Sequence, residues 1–365
     1  MKNLRVLSVI IMLFSAFYGY AQVNKSFIDY EKYDFVPGDK IIYYEDFLQD
    51  TLGKFPQKWI SNSPGEILQL KKYSGINWYK MYVGSTNATD GQIPFAVNTT
   101  VEWDILPDME SDSNGNIPEV QIYFQSQLPN QYPGDYVPGN GGFGIKFIGE
   151  TVNFYSWKNG DYTTVSIDGR TTELIDHKNK KVHMAMSVQK NRVVFYVNQE
   201  KVIDVPDLLP EGIPPLDRIS FYSSQTNLNF SLLVSNLVVS TGIADYRDKL
   251  TKMGKFSTNG IKFEAGSDII KPESYPVLKE IANVINDTHD TKFMIVGHAD
   301  NFSSESMNLS LSKARAESVK KTLEELFEVD PKNISTDGKS ESNSTGKAIT
   351  NEERAFNNRI EFVRL

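Results

Sequence analysis

The chain has 365 residues, 40% of them hydrophobic and 23% charged, with a formal net charge of -8 and no cysteine. This length and composition predict two or three folded domains and exclude a disordered chain. The missing cysteine excludes a disulfide framework, a thiolate zinc site and an acylated N-terminal cysteine, and the acidic balance argues against nucleic acid as a partner.

In chain order, Met1-Lys2-Asn3-Leu4-Arg5 is cationic, Val6 to Phe17 is nearly all apolar, and Gly19-Tyr20-Ala21 places small residues where a signal peptidase reads. Export is expected, with residues 1–21 as signal peptide and Gln22 as the mature N-terminus. No later stretch reaches the roughly 20 apolar residues of a transmembrane helix. From Ile41 to about Ser240, short β-type runs alternate with Gly, Pro, Asn and Asp. They include Val120 to Gln125, Phe143 to Phe147, Val152 to Trp157, Val182 to Val188, Arg192 to Val197, Ile219 to Ser223 and Phe230 to Ser240. Turn signals such as Asn159-Gly160-Asp161 and Asp168-Gly169 fall between them. The spacing predicts an all-β sandwich over residues 22–240. An outer-membrane β-barrel is the rival, but its strands run about 9 to 11 residues with a lipid-facing apolar set, and these runs are mostly shorter and interrupted by charge.

A helical linker is predicted over residues 241–254, from Ala244 to Met253 with Gly254 as its stop. Beyond it the pattern reads as a strand at Gly260 to Phe263, a helix from Pro272 to Ile285 and a strand at Lys292 to Gly297. A long helix then ends near Leu326, followed by strands at Ile334 to Asp337 and Arg359 to Arg364. Alternating β and α elements over residues 255–365 predict an α/β domain with helices against one sheet. Leu311, Val319, Leu323 and Leu326 fall on one side of the long helix, and Arg315 lies inside that stripe. A guanidinium there needs a partner to replace lost hydration, and Asp300, after the strand, is the nearest candidate in sequence. The pair is either a strut between strand and helix or a ligand clamp.

Other signals weigh less. Glu102-Trp103-Asp104 puts two carboxylates on one strand face, as a retaining glycosidase would, yet Leu106-Pro107-Asp108 interrupts where such enzymes carry another glutamate, so a solvated strand face is expected and no catalysis. Asp108, Glu110, Asp112, Asn114 and Asn116 alternate in the manner of a loose calcium site, without the glycine of an EF-hand loop; an exposed acidic loop is expected. Gln131 to Tyr136 and Trp78-Tyr79 are candidate sugar-stacking aromatics. No pair among His177, His183, His289 and His298 has helical metal-ligand spacing, and neither metal nor cofactor is expected; His298 is read as a packing or hydrogen-bonding residue.

The C-terminal third resembles the OmpA-like peptidoglycan-binding family from about Lys255 to Leu365. The resemblance rests on Gly260-Ile261-Lys262-Phe263, Gly297-His298-Ala299-Asp300, Asn308-Leu309-Ser310-Leu311-Ser312, Arg315-Ala316-Glu317-Ser318-Val319, Asp337-Gly338-Lys339-Ser340-Glu341-Ser342 and Arg354-Ala355-Phe356-Asn357-Asn358-Arg359. It implies that Asp300 accepts from the ammonium and Arg315 holds the carboxylate of diaminopimelate in the wall's stem peptide, with Asn308 and Arg359 beside them. Two departures stand out: Ala299 where the family has Thr, and Asn358 where it has the first of two arginines. Asp245-Tyr246-Arg247 and Gly254-Lys255-Phe256 resemble the lead-in of exported Bacteroidota proteins that join a β domain to this module. More weakly, Tyr44 to Phe47, Phe55 to Trp59, Arg192 to Asn198 and Leu233 to Val239 resemble concanavalin-like, laminin-G-like jelly rolls. The expectation is a non-enzymatic envelope protein, periplasmic or outer-membrane-associated, that binds peptidoglycan and tethers a sandwich whose own partner is a glycan or an envelope protein. The alternatives are a wall-localised carbohydrate-binding or carbohydrate-active sandwich, and a barrel with a wall anchor.

Overall fold

The computed structural model describes residues 33–365 except 92, 110–116, 127–138, 160, 177–178, 225–228, 289–290, 300–303 and 341–349. The expected signal peptide, most of the acidic stretch from Asp108 to Asn116, the Gln131 to Tyr136 aromatics, His177, His289 and Asp300 therefore lie outside the described residues.

The first domain is a sandwich of two antiparallel sheets. Its strands are β1 (Lys40–Glu45), β2 (Trp59–Ser61), β3 (Gly65–Gln69), β4 (Asn77–Tyr82), β5 (Thr86–Thr89), β6 (Asn98–Met109), β7 (Val120–Gln125), β8 (Gly141–Ile148), β9 (Thr151–Lys158), β10 (Asp161–Arg170), β11 (Val182–Gln189), β12 (Arg192–Val197), β13 (Glu200–Val205), β14 (Arg218–Ser223) and β15 (Phe230–Thr241). One sheet runs β13-β12-β11-β6-β15-β4-β3 with β1 also on β15, and the other runs β10-β9-β8-β7-β14-β5-β2. Alternation dictates the core: Val101, Trp103 and Ile105 of β6, Met184 and Met186 of β11, and Phe124, Phe143 and Phe154 from the facing sheet share one buried apolar cluster. Separate sheets packed over a common core replace the barrel alternative. Trp78 and Tyr79 are both fully buried, and the Tyr79 hydroxyl donates to Asn87, so they serve as core and not as sugar platforms.

The second domain has a four-stranded sheet ordered β16 (Lys255–Thr258), β19 (Ile360–Arg364), β17 (Phe293–Ala299), β18 (Ile334–Ser340), with β17 and β18 parallel. Helices α1 (Tyr275–Asp287) and α2 (Glu305–Phe327) contribute Val277, Ile281, Val319 and Leu323 to its core, and α3 (Asn351–Asn357) precedes the last strand. Short helical turns from Tyr246 to Met253 form the linker and end at Gly254, whose φ of 74° closes them in the left-handed region.

Two expectations are corrected. The strand is at Lys255–Thr258, pairing with β19, whereas Gly260 to Phe263 forms only a bridge from Phe263 to Ile270. The long helix begins at Glu305, earlier than its apolar stripe indicates, because the Ser304 hydroxyl caps it by accepting from the Met307 N–H.

Candidate ligand-binding site

The parallel strands β17 and β18 bring Gly297 opposite Gly338. A Cβ on Gly297 would stand 2.0 Å from the Ser312 carbonyl oxygen, and one on Gly338 would stand 2.5 Å from the Lys313 backbone nitrogen. Bare backbone at both positions lets α2 lie directly on the sheet. Helical spacing then puts Asn308 and Arg315, two turns apart, on its buried side, where they are 3% and 9% exposed.

Arg315 is held from several directions. Its Nε donates to the Ser267 carbonyl at 3.0 Å, one terminal nitrogen donates to Asn358 Oδ1 at 3.2 Å, and the guanidinium lies 4.9 Å from the centre of the Phe263 ring. The Asn358 that replaces the family's arginine is thus a hydrogen-bond acceptor for Arg315. Arg359 stacks on Phe356 and donates to its carbonyl at 3.3 Å; unlike Asn308, Arg315 and Asn358, it does not line the neighbouring cleft. Ala299 is buried at the end of β17. His298 is buried and its Nε2 meets Glu361 at 3.2 Å, a hydrogen-bonding contact.

That cleft, of ≈ 700 Å³, lies between the two domains. Its opposite wall is the outer face of the first sheet, and there the expectation of a solvated strand is wrong. Glu102 and Asp104 point away from the sandwich core but are only 4% and 2% exposed, because the second domain covers them. Lys262 pairs with Glu102 across the domain boundary. His183, opposite Asp104 on β11, places Nδ1 2.8 Å from Asp104 Oδ1 and Nε2 3.5 Å from Glu102 Oε2; Lys181 and Asn236 complete the surroundings of Asp104.

Burial opposes ionisation of both acids, yet Lys262 and His183 hold Glu102 down to about 2, and Lys181 and His183 keep Asp104 well below the carboxylate range. Burial likewise opposes the His183 charge, but the hydrogen bond to Asp104 and the Glu102 carboxylate 3.5 Å away outweigh it and lift the imidazole to about 9.

A second set of contacts docks α3 on β1. Both Arg354 terminal nitrogens donate to the Asp46 carboxylate, one of them at 2.7 Å, with both residues buried. Asn351 donates to Glu45 at 2.9 Å, and Lys58 pairs with Glu352 at 3.1 Å. The apolar pattern of the sequence does not reveal α3, although Thr350 and Glu353 carry the spacing of a capping box, which the structure contains. For Glu102, Asp104 and His183 the only signal was two acids on a strand, with nothing to show what would cover them.

Residues 262–359 match the family model described as the OmpA family. The C-terminal module is an OmpA-family domain. Outer membrane porin F of Pseudomonas fluorescens is 32% identical over 101 residues, 28% of this chain and 31% of that protein. Outer membrane protein A of Bordetella avium is 33% identical over 99 residues, 27% of this chain and 50% of that one. The chain thus spans half or less of these curated relatives. Among solved structures, the periplasmic domain of Helicobacter pylori MotB is 24% identical, covers 30% of this chain and 70% of that one, and superposes with a TM-score of 0.27. The carbohydrate binding module CBM66 from Bacillus subtilis is 14% identical, covers 50% of this chain and 96% of that one, and has a TM-score of 0.34.

Proposed function

We propose that this is an exported envelope protein whose C-terminal domain binds peptidoglycan without bond cleavage and holds the β-sandwich at the wall. In this reading Arg315 takes the carboxylate of diaminopimelate in the stem peptide, Asp300 accepts from its ammonium, and Asn308 adds polar contacts, while Arg359, outside the cleft, is left out of the clamp. The observation that carries it is a buried guanidinium in an OmpA-family domain, oriented by Ser267, Asn358 and Phe263, on the wall of an open cleft. A fork fixed before the ligand arrives loses little entropy on binding and matches a carboxylate geometrically. The paired carboxylates of β6 favour binding over catalysis as well, since both are held ionised by cations and neither is poised to donate a proton.

The test is co-sedimentation of the full-length chain with purified sacculi. Arg315→Ala, folded by circular dichroism, should lose retention by about a hundredfold or more, as expected when one member of a desolvated charge pair is removed. Undiminished retention of that variant would sink the clamp.

A further inference from the structure

The cleft beside Arg315 has two walls, and the second belongs to the sandwich. Phe263 lies under the Arg315 guanidinium, and the preceding residue, Lys262, reaches across to Glu102. Two consecutive residues therefore join the clamp to the Glu102-His183-Asp104 cluster. Glu102, Asp104 and Asn308 are each more than nine-tenths buried and line the same cavity, with Leu48 and Ile76 adding apolar surface on the sandwich side.

The chemistry of this space narrows the ligand. Its carboxylates are matched one for one by cationic side chains once His183 carries its proton. A balanced lining gives a polyanion no net attraction, whereas a ligand with an ammonium and a carboxylate meets complementary charge at both ends. At ≈ 700 Å³ the cleft falls within the roughly 300 to 1,000 Å³ of ligand pockets and has room beyond a single zwitterionic head group. We propose that the sandwich forms half of the wall-ligand site, so that the cleft takes a short peptide carrying both charges. The peptide's carboxylate sits at Arg315 and its continuation lies against the Glu102-His183-Asp104 wall. The inference rests on the Arg315 reading above and adds the sandwich to it.

The experiment is calorimetric titration of the full-length chain with two probes, free meso-diaminopimelate and a disaccharide-tetrapeptide that carries it. The parent should bind the larger probe more tightly. Glu102→Gln and Leu48→Trp should each weaken the larger probe by about tenfold and leave the smaller one unchanged, whereas Arg315→Ala should abolish both. Leu48 is 40% exposed, so its substitution tests the wall without disturbing a buried ion pair. Unchanged affinity of both sandwich variants for the larger probe, with Arg315→Ala inactive, would overturn the shared site and leave the clamp standing. Retention of both probes by Arg315→Ala would overturn the clamp and the shared site together.

Discussion

Glu45 links protonation to the contact between the domains. It is 1% exposed, and its Oε1 accepts from the Phe47 N–H and from Asn351 of α3. Burial, only partly offset by the Phe47 N–H, pushes its carboxyl from 4.5 up to about 7. A carboxyl with a higher pKa in the folded state binds its proton more tightly there. Its contribution is therefore largest at low pH, falls as pH rises from about 4.5 to 7, and is spent above that, with a span of about 3 kcal/mol. His183, raised from 6.5 to about 9, contributes fully below 6.5 and loses its contribution as pH rises through 9. Stability in urea should accordingly decline between pH 5 and 9 on the scale of those shifts. Glu45→Gln should flatten the part below about pH 7 and keep the Asn351 contact. Equal slopes for parent and variant would show that Glu45 is ionised throughout.

At the level of elements, α2 lies directly against β17 and β18 at Gly297 and Gly338. Because a Cβ on Gly297 would sit 2.0 Å from a backbone oxygen, which cannot swing aside as a side chain does, Gly297→Ala should cost about 3 kcal/mol and lower the unfolding temperature. Calorimetry would detect it, and an unchanged transition would mean that the helix can ride outward. This helix also shows what local sequence can reveal. Its core side, its buried arginine and the strand before it were legible because period and motif are written within some thirty residues. The strand boundaries of the sandwich were legible for the same reason, as with Val120–Gln125 and Arg192–Val197. Gly260 to Phe263 misled because its apolar residues serve a different purpose: Ile261 fills the core and Phe263 supports Arg315. Helix α3 was hidden because its buried residues include the polar Asn351, Arg354 and Asn357, and the first two bond to Glu45 and Asp46 of the other domain. The burial of Glu102, Asp104 and His183 was illegible in principle, since an outward strand position looks alike whether water or a second domain covers it.

Across the whole molecule, two bodies with separate cores meet through buried charge. Asp46 and Arg354 are 6% and 4% exposed. Removing one partner strands the other without hydration, so Asp46→Ala should weaken docking by about 3 to 5 kcal/mol. Hydrogen exchange should then quicken at Asn351–Asn357 and Lys40–Glu45 while β17 and β6 keep their protection. Uniform quickening would instead mean that the two domains unfold as one unit.

The linker carries a further consequence. A free segment of residues 242–254 could extend roughly 45 Å and would let the domains wander independently. Here it is wound into helical turns, while Lys262, Asn351 and Arg354 fasten the second domain to the first. The chain behaves as a bracket and not as a leash: whatever the sandwich grips is carried at a set distance and angle from whatever fills the cleft, and moving it away means tearing ion pairs instead of paying out slack.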